Sequence, residues 1–157
     1  MITDEEGAKI VFELVQDDDG YPPDRWERLW AIRVQGGELY RIDNIPFYVK
    51  GISNGDVVAV NSVEGELVFS KLITPSLNSV IRLYVMEVSD VSTARKEFLD
   101  LGCESELSNV QKLFALEVPE KVAFGPVASL IRAGVDQGRW EYEVGVLRHG
   151  GSGALVA

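Results

Sequence analysis

VIRLYVMEVSDVSTARKEFLDLG, residues 80–102, decides the fold, because the chain changes character inside it. Its first nine residues place Val80, Ile81, Leu83, Val85 and Val88 in a β-branched-rich run, the composition of a strand. From Asp90 the period changes. Val91, Ala94, Phe98 and Leu101 recur at three- and four-residue spacing, with an acidic start and Gly102 just past the end, which predicts a helix over 90–102. Strands follow at 103–107 and 113–118, separated by Ser108 and Asn109. A second helix opens at Gly125-Pro126 with proline at the first helical position, buries Val127, Leu130 and Ile131, reaches Val135 and stops at Gly138. WEYEVGVL, residues 140–147, is a final strand. Strand–helix–strand–strand–helix–strand over 79–148 predicts a ferredoxin-like βαββαβ unit, an antiparallel four-stranded sheet with both helices on one face.

Upstream the helical period is missing. Residues 9–16 (KIVFELVQ) alternate Ile10, Phe12 and Leu14 with other residues, as a half-buried strand does. Residues 26–34 (WERLWAIRV) and 38–42 (ELYRI) flank Gln35-Gly36-Gly37, a hairpin signal that makes Trp30 and Tyr40 core residues facing one another. Residues 57–63 and 66–73 pair across Glu64-Gly65. Five or six short strands without a helix predict a small β-barrel or curved sheet. The expected chain is therefore α+β: an all-β part over 1–78, the ferredoxin-like part over 79–148, and a flexible tail over 149–157 that contains Gly150-Gly151-Ser152-Gly153.

The 157 residues are 46% hydrophobic and 25% charged, ordinary for a chain that buries a core. The longest apolar runs are four or five residues, against the ~20 needed to span a bilayer. The acidic start has no apolar signal region. A single cysteine rules out an internal disulfide and suits a reducing cytosol, so a cytoplasmic protein without membrane association is expected. Net charge is −10, which disfavours nucleic acid and anionic lipid as partners. Residues 1–78 hold 7 basic and 14 acidic side chains, and residues 79–157 hold 8 and 11. That bias either keeps the surface soluble or steers a basic protein partner.

Catalytic chemistry has little to stand on. His149 lies at the edge of the expected tail and is expected to be solvated. Cys103, just after Gly102, is expected to be a small buried hydrophobe rather than a nucleophile. One Cys and one His do not make a structural zinc site. Asp17-Asp18-Asp19-Gly20 fails as a calcium loop, because Val15 stands at its first position and Trp26 at its twelfth. Phosphate-cradling glycine motifs are missing, so no cofactor is expected. Large aromatics and polar residues gather instead on loops of the first half. Asp17, Asp18, Asp19, Tyr21, Trp26, Glu27, Asp43, Asn44, Phe47 and Tyr48 are the candidate partner-binding residues.

Asp19-Gly20-Tyr21-Pro22, Glu27-x-Leu29-Trp30-Ala31, the run Asp43-Asn44-Ile45-Pro46-Phe47-Tyr48-Val49, and Gly51-Ile52-x-x-Gly55-Asp56-Val57-Val58 resemble the bacterial domain of unknown function 4265 family. Ile81-Arg82, Leu101-Gly102-Cys103-x-x-Glu106 and Gly138-x-Trp140-x-Tyr142-Glu143 continue the resemblance, over roughly residues 9–147. It implies a cytosolic bacterial protein and carries no catalytic residues with it. The expected function is a non-enzymatic acidic protein-binding module, of the kind that neutralises a toxin as an immunity protein in bacterial intercellular competition. The alternative is a small-molecule-binding protein or enzyme with a site where the halves meet, using Glu27, Asp43, Asn44 and Asp56. A third is a regulatory domain that self-associates through an edge of its C-terminal sheet. The oligomeric state stays open.

Overall fold

The computed structural model describes residues 7–34, 37–150 and Leu155. The chain divides into two compact units, Met1–Ser76 and Leu77–Ala157.

The first unit contains β1 (Gly7–Glu13), β2 (Trp26–Arg33), β3 (Leu39–Ile42), β4 (Val57–Val63) and β5 (Glu66–Thr74). Successive strands pair antiparallel, and β1 also runs parallel to β5 through Ile10↔Leu67 and Val11↔Val68. The five-stranded curved sheet thereby closes on itself. Glu64 (φ 51°) and Gly65 (φ 82°) are both left-handed at the β4–β5 turn, the two-residue geometry that matches strand twist. Inside lie Ile10, Phe12, Leu14, Leu29, Ala31, Ile42 and Val58, with Phe12 stacked on Phe69 at 4.8 Å. Gln35 and Gly36 of the expected glycine turn lie outside the described residues.

Trp30 corrects the expected core. Leu29 and Ala31 face inward and are buried, so their neighbours Trp26, Arg28 and Trp30 face outward, and Trp30 is 52% exposed. Tyr40 is half-buried against the barrel core, but it stands opposite Arg33, so it does not face Trp30 as expected. On the outer face Arg28, the register partner of Val11, reaches across β1 to Glu66 at 3.1 Å.

The second unit runs β6 (Ser79–Val85), a 3-10 turn (Val88–Asp90), α1 (Val91–Asp100), β7 (Glu104–Leu107), β8 (Leu113–Val118), α2 (Phe124–Asp136) and β9 (Trp140–Val146). Its strands form one antiparallel sheet in the order β7-β8-β6-β9. Ile81, Leu83, Val85, Phe114, Leu116 and Val118 share a core with Val91, Ala94 and Phe98 of α1 and Val127, Ala128 and Ile131 of α2. Pro126 is the third residue of α2 rather than its first, still within the turn whose N–H groups lack helical partners. Val135 is exposed.

Both helices end the same way. Gly102 N–H donates to Leu99 C=O and Cys103 N–H to Phe98 C=O, while Gly138 N–H donates to Val135 C=O and Arg139 N–H to Gly134 C=O. Gly102 (φ 97°) and Gly138 (φ 72°) occupy the left-handed position that this double closure requires. After the second closure Arg139 and Trp140 turn back on the unit. The Trp140 indole donates to Ile131 C=O at 2.9 Å and packs against Gly134, where an added Cβ would collide with Cε2 and Cζ2. Arg139 grips Asp90 through two 2.9 Å hydrogen bonds, donates to Glu97 at 2.6 Å, and sits 4.6 Å from the Trp140 ring.

The expected tail is corrected at two residues. His149 is half-buried, and Leu155 is 3% exposed and belongs to the core of this unit. Two apolar or aromatic groups that find packing partners do not remain in water, whatever the glycines between them. Gly151, Ser152, Gly153, Ala154, Val156 and Ala157 lie outside the described residues.

Two outcomes follow for stability. Gly134→Ala, which in an ordinary helix interior gains about 1 kcal/mol, should here lose about 1–3 kcal/mol through overpacking against Trp140, read as a lower urea midpoint. Asp90 is held below its ordinary value of 3.8, first by the hydrogen bond from Arg139 and then by that cation's charge, with desolvation opposing. A depressed folded value means this stability is present above the unfolded value and disappears as pH falls through the folded one. Asp90→Asn should therefore flatten the acid limb of a melting-temperature profile recorded from about pH 7 to about pH 2.

Candidate functional site

Some of the candidate residues meet where three side chains fasten the segment between β3 and β4. Glu27 is the first residue of the inward row of β2, opposite Phe12 of β1. Its carboxylate accepts hydrogen bonds from three successive amides: Phe47 N–H at 2.7 Å, Tyr48 N–H at 3.0 Å and Val49 N–H at 2.8 Å. Asn44 extends the β2–β3 ladder, with Oδ1 accepting from Trp30 N–H at 2.6 Å while Asp43 N–H donates to Trp30 C=O. Asp56 is fully buried, and its carboxylate accepts from Ser53 N–H and Ser76 N–H at 2.9 and 2.8 Å. Ile45, Val49 and Ile52 are buried in consequence, and Val49 and Ile52 complete the barrel core.

A second loop, residues 17–24, is organised by one of its own aspartates. Asp17 Oδ1 accepts from Asp19 N–H and Tyr21 N–H, and Asp17 N–H donates to Tyr21 C=O at 2.7 Å. Gly20 takes the left-handed φ of 78° that this tight turn demands. Asp18, Asp19 and Asp24 are exposed. Tyr21, 40% exposed, meets Tyr48 edge-on with ring centroids 5.9 Å apart.

The structure thus brings Tyr21, Glu27, Phe47 and Tyr48 together, with Asn44 fixing the same segment. Trp26, 49% exposed, is on the opposite face of β2 from Glu27. Asp43 is exposed and contributes its backbone. Glu27, Asn44 and Asp56, expected as polar groups for a ligand, each spend their oxygens on backbone N–H groups.

In the second unit the two residues of classical nucleophile chemistry are also engaged. Cys103 is 1% exposed, and its thiol is pushed up to about 12, first by burial and then by the charges of Glu117 and Glu104. It stays protonated near neutral pH. His149 was expected in solvent. Instead Nε2 lies 2.9 Å from Pro119 C=O, Nδ1 lies 2.7 Å from Ser79 Oγ, and the ring packs on Phe124 at 5.2 Å. A carbonyl only accepts, so Nε2 carries a proton, and in the neutral ring Nδ1 then accepts from the Ser79 hydroxyl. Ser79 is fully buried and also accepts Arg148 N–H at 2.8 Å. The pair has the order of a base and a serine nucleophile, but without access it acts as a fastening. Sequence reasoning missed it because its partners are 70 and 30 residues away. Among the described residues no cluster of three or more His, Cys, Asp or Glu is placed to hold a metal ion, and no helix is long and apolar enough to cross a membrane.

The family model described as Domain of unknown function (DUF4265) matches residues 27–142, from the Glu27 anchor to the middle of β9. The chain belongs to that family. A DUF4265 chain is similar in structure to a protein described as "Novel crystal structure of a hypothetical protein from Neisseria gonorrhoeae", with a TM-score of 0.69 and 16% identity over 94% of this chain and 99% of that one. At that identity the likeness concerns the fold. A search of the curated proteins returns no match.

The Glu27 anchor of this DUF4265 chain can be tested directly. Glu27→Ala leaves three amides without their acceptor and should cost about 2–3 kcal/mol. Amide exchange should accelerate at Phe47, Tyr48 and Val49 before it does in β4. Glu27→Gln, which keeps one carbonyl acceptor, should fall between.

Proposed function

We propose that this chain is an acidic, non-catalytic protein-binding module that takes a basic protein partner, as an immunity protein does when it neutralises a toxin in bacterial intercellular competition. The carrying observation is how the barrel end divides its polar groups. Glu27, Asn44, Asp56 and Asp17 are turned onto backbone amides, while Asp18, Asp19 and Asp24 are left in solvent around the half-exposed Tyr21. A rigid loop that carries charges and one aromatic over a fixed platform is suited to docking: charge accelerates encounter and the ring is desolvated on contact. The buried, protonated Cys103 and the fastened His149 support a non-catalytic role, and a single buried thiol suits a reducing cytoplasm.

The sheet order supports treating the second unit as ferredoxin-like. The β6–α1–β7 connection passes over β8, and the β8–α2–β9 connection passes over β6, as in a βαββαβ unit.

Capture from the native host compares wild type with Asp18→Asn/Asp19→Asn and with Tyr21→Ala. A basic protein retained by wild type should associate more slowly with the double variant, and the difference should shrink above ~0.15 M salt, where the screening length is ~8 Å. Tyr21→Ala should mainly speed dissociation, by an amount worth about 2 kcal/mol. Identical kinetics in all three proteins would refute the loop as the docking site.

A further inference from the structure

We infer that the outer face of β1 and β2 is a two-fold interface that takes a second copy of this chain. This goes beyond the partner proposed above, and it uses other residues. The β1–β2 register places Lys9 beside Trp30, Val11 beside Arg28 and Glu13 beside Trp26, all on the side of the strands away from the barrel core. Trp26 and Trp30 are 49% and 52% exposed, Lys9 and Glu13 are exposed and the Arg28 side chain is 51% exposed, while Val11 is 6% exposed and the Lys9 ammonium lies 4.8 Å from the centre of the Trp30 ring. Two half-exposed tryptophans with an arginine between them form the residue combination that dominates protein interfaces. Leaving two such rings half in water forgoes apolar burial that a partner surface would supply.

The charge pattern on this face selects the occupant. A two-fold axis lying in the interface and crossing the strands at the Val11–Arg28 pair exchanges the two ends of the face. Lys9 of one copy then faces Glu13 of the other, and Glu13 faces Lys9. Trp30 of one copy meets Trp26 of the other, a spacing suited to offset or edge-on rings. At the axis Arg28 already has Glu66 at 3.1 Å, so the centre brings no uncompensated cation. The face is its own complement under that operation, a property that docking of an unrelated protein does not require. Two copies of a chain with net charge −10 repel each other, and the exchanged Lys9–Glu13 pairs supply the local attraction that offsets this.

Sedimentation equilibrium of the full chain at low ionic strength, with the melting temperature of every variant recorded, tests this. Wild type should shift from 17.3 kDa toward twice that mass as concentration rises. Lys9→Glu and Glu13→Lys should each weaken association about tenfold, although one makes the chain more acidic and the other less. The Lys9→Glu/Glu13→Lys double variant, whose net charge is unchanged, should return to within about threefold of wild type. Trp30→Ser should abolish association while the melting temperature stays within the range of the charge variants. A wild type that stays at 17.3 kDa overturns the proposal. So does a double variant no tighter than its parents, or a Trp30→Ser variant that associates like wild type. A Glu13→Lys variant that associates more tightly also overturns it, since that is the sign expected from net charge alone. Lys9 and Glu13 lie outside the 17–24 loop, so failure here and failure of partner docking are scored on different variants.

Discussion

The Glu27 carboxylate takes hydrogen bonds from three consecutive amides, and the 43–56 segment of the first unit is built around that contact. A strand residue on an inward row would ordinarily be apolar, and an unpaired carboxylate there would be costly. Glu27 is tolerated because it stands where the row runs out and the 43–56 segment crosses the barrel end. Without it the amides of Phe47, Tyr48 and Val49 would have to find water. Val49 could not then remain in the core, and the Tyr48 ring that backs Tyr21 would lose its support. Asn44 and Asp56 repeat the device on either side, so a long irregular segment is held almost as a strand would be.

The second unit solves a different problem with a glycine. Three residues separate Gly134 from the left-handed Gly138, and there the helix stops so that Arg139 and Trp140 turn back onto it. The indole needs the space that a side chain at Gly134 would fill, and its N–H takes the Ile131 carbonyl near the helix end. Arg139, one residue earlier, ties Asp90 at the start of α1 to Glu97 further along it. One short return thus joins the end of α2 to the whole of α1, and Phe98 rests against the same indole at 5.6 Å.

Much of this was legible in the sequence, for local reasons. Residues 57–63 and 113–118 appear as strands with the expected bounds because alternation, apolar runs and a left-handed glycine turn are short-range signals. Both helix ends were marked by Gly102 and Gly138 for the same cause. What was not legible depended on distant partners. The hairpin signal suggested that Trp30 faces Tyr40 in the core, yet its alternation with Leu29 and Ala31 and its shared face with Arg28 carried the better signal. His149 lay beside glycines that read as solvent-exposed, while its partners Ser79 and Pro119 came from far upstream. The segment 43–49 was picked out for binding, and the structure gives its polar residues a constructional task first: a stretch can be distinctive because it must be held, as well as because it must touch something.

The closure of the barrel has a mechanical side. Every other strand junction in the first unit has at least three register pairs, whereas the parallel junction of β1 with β5 has two, Ile10↔Leu67 and Val11↔Val68. Fluctuations that open a barrel start where the fewest bonds must break, so this seam is the natural hinge of the sheet. Arg28 and Glu66 straddle it from either side, both half in water, and an ion pair so placed weakens as salt screens it. The junction with the fewest register pairs is therefore also the one bridged by an ion pair whose contribution falls as ionic strength rises.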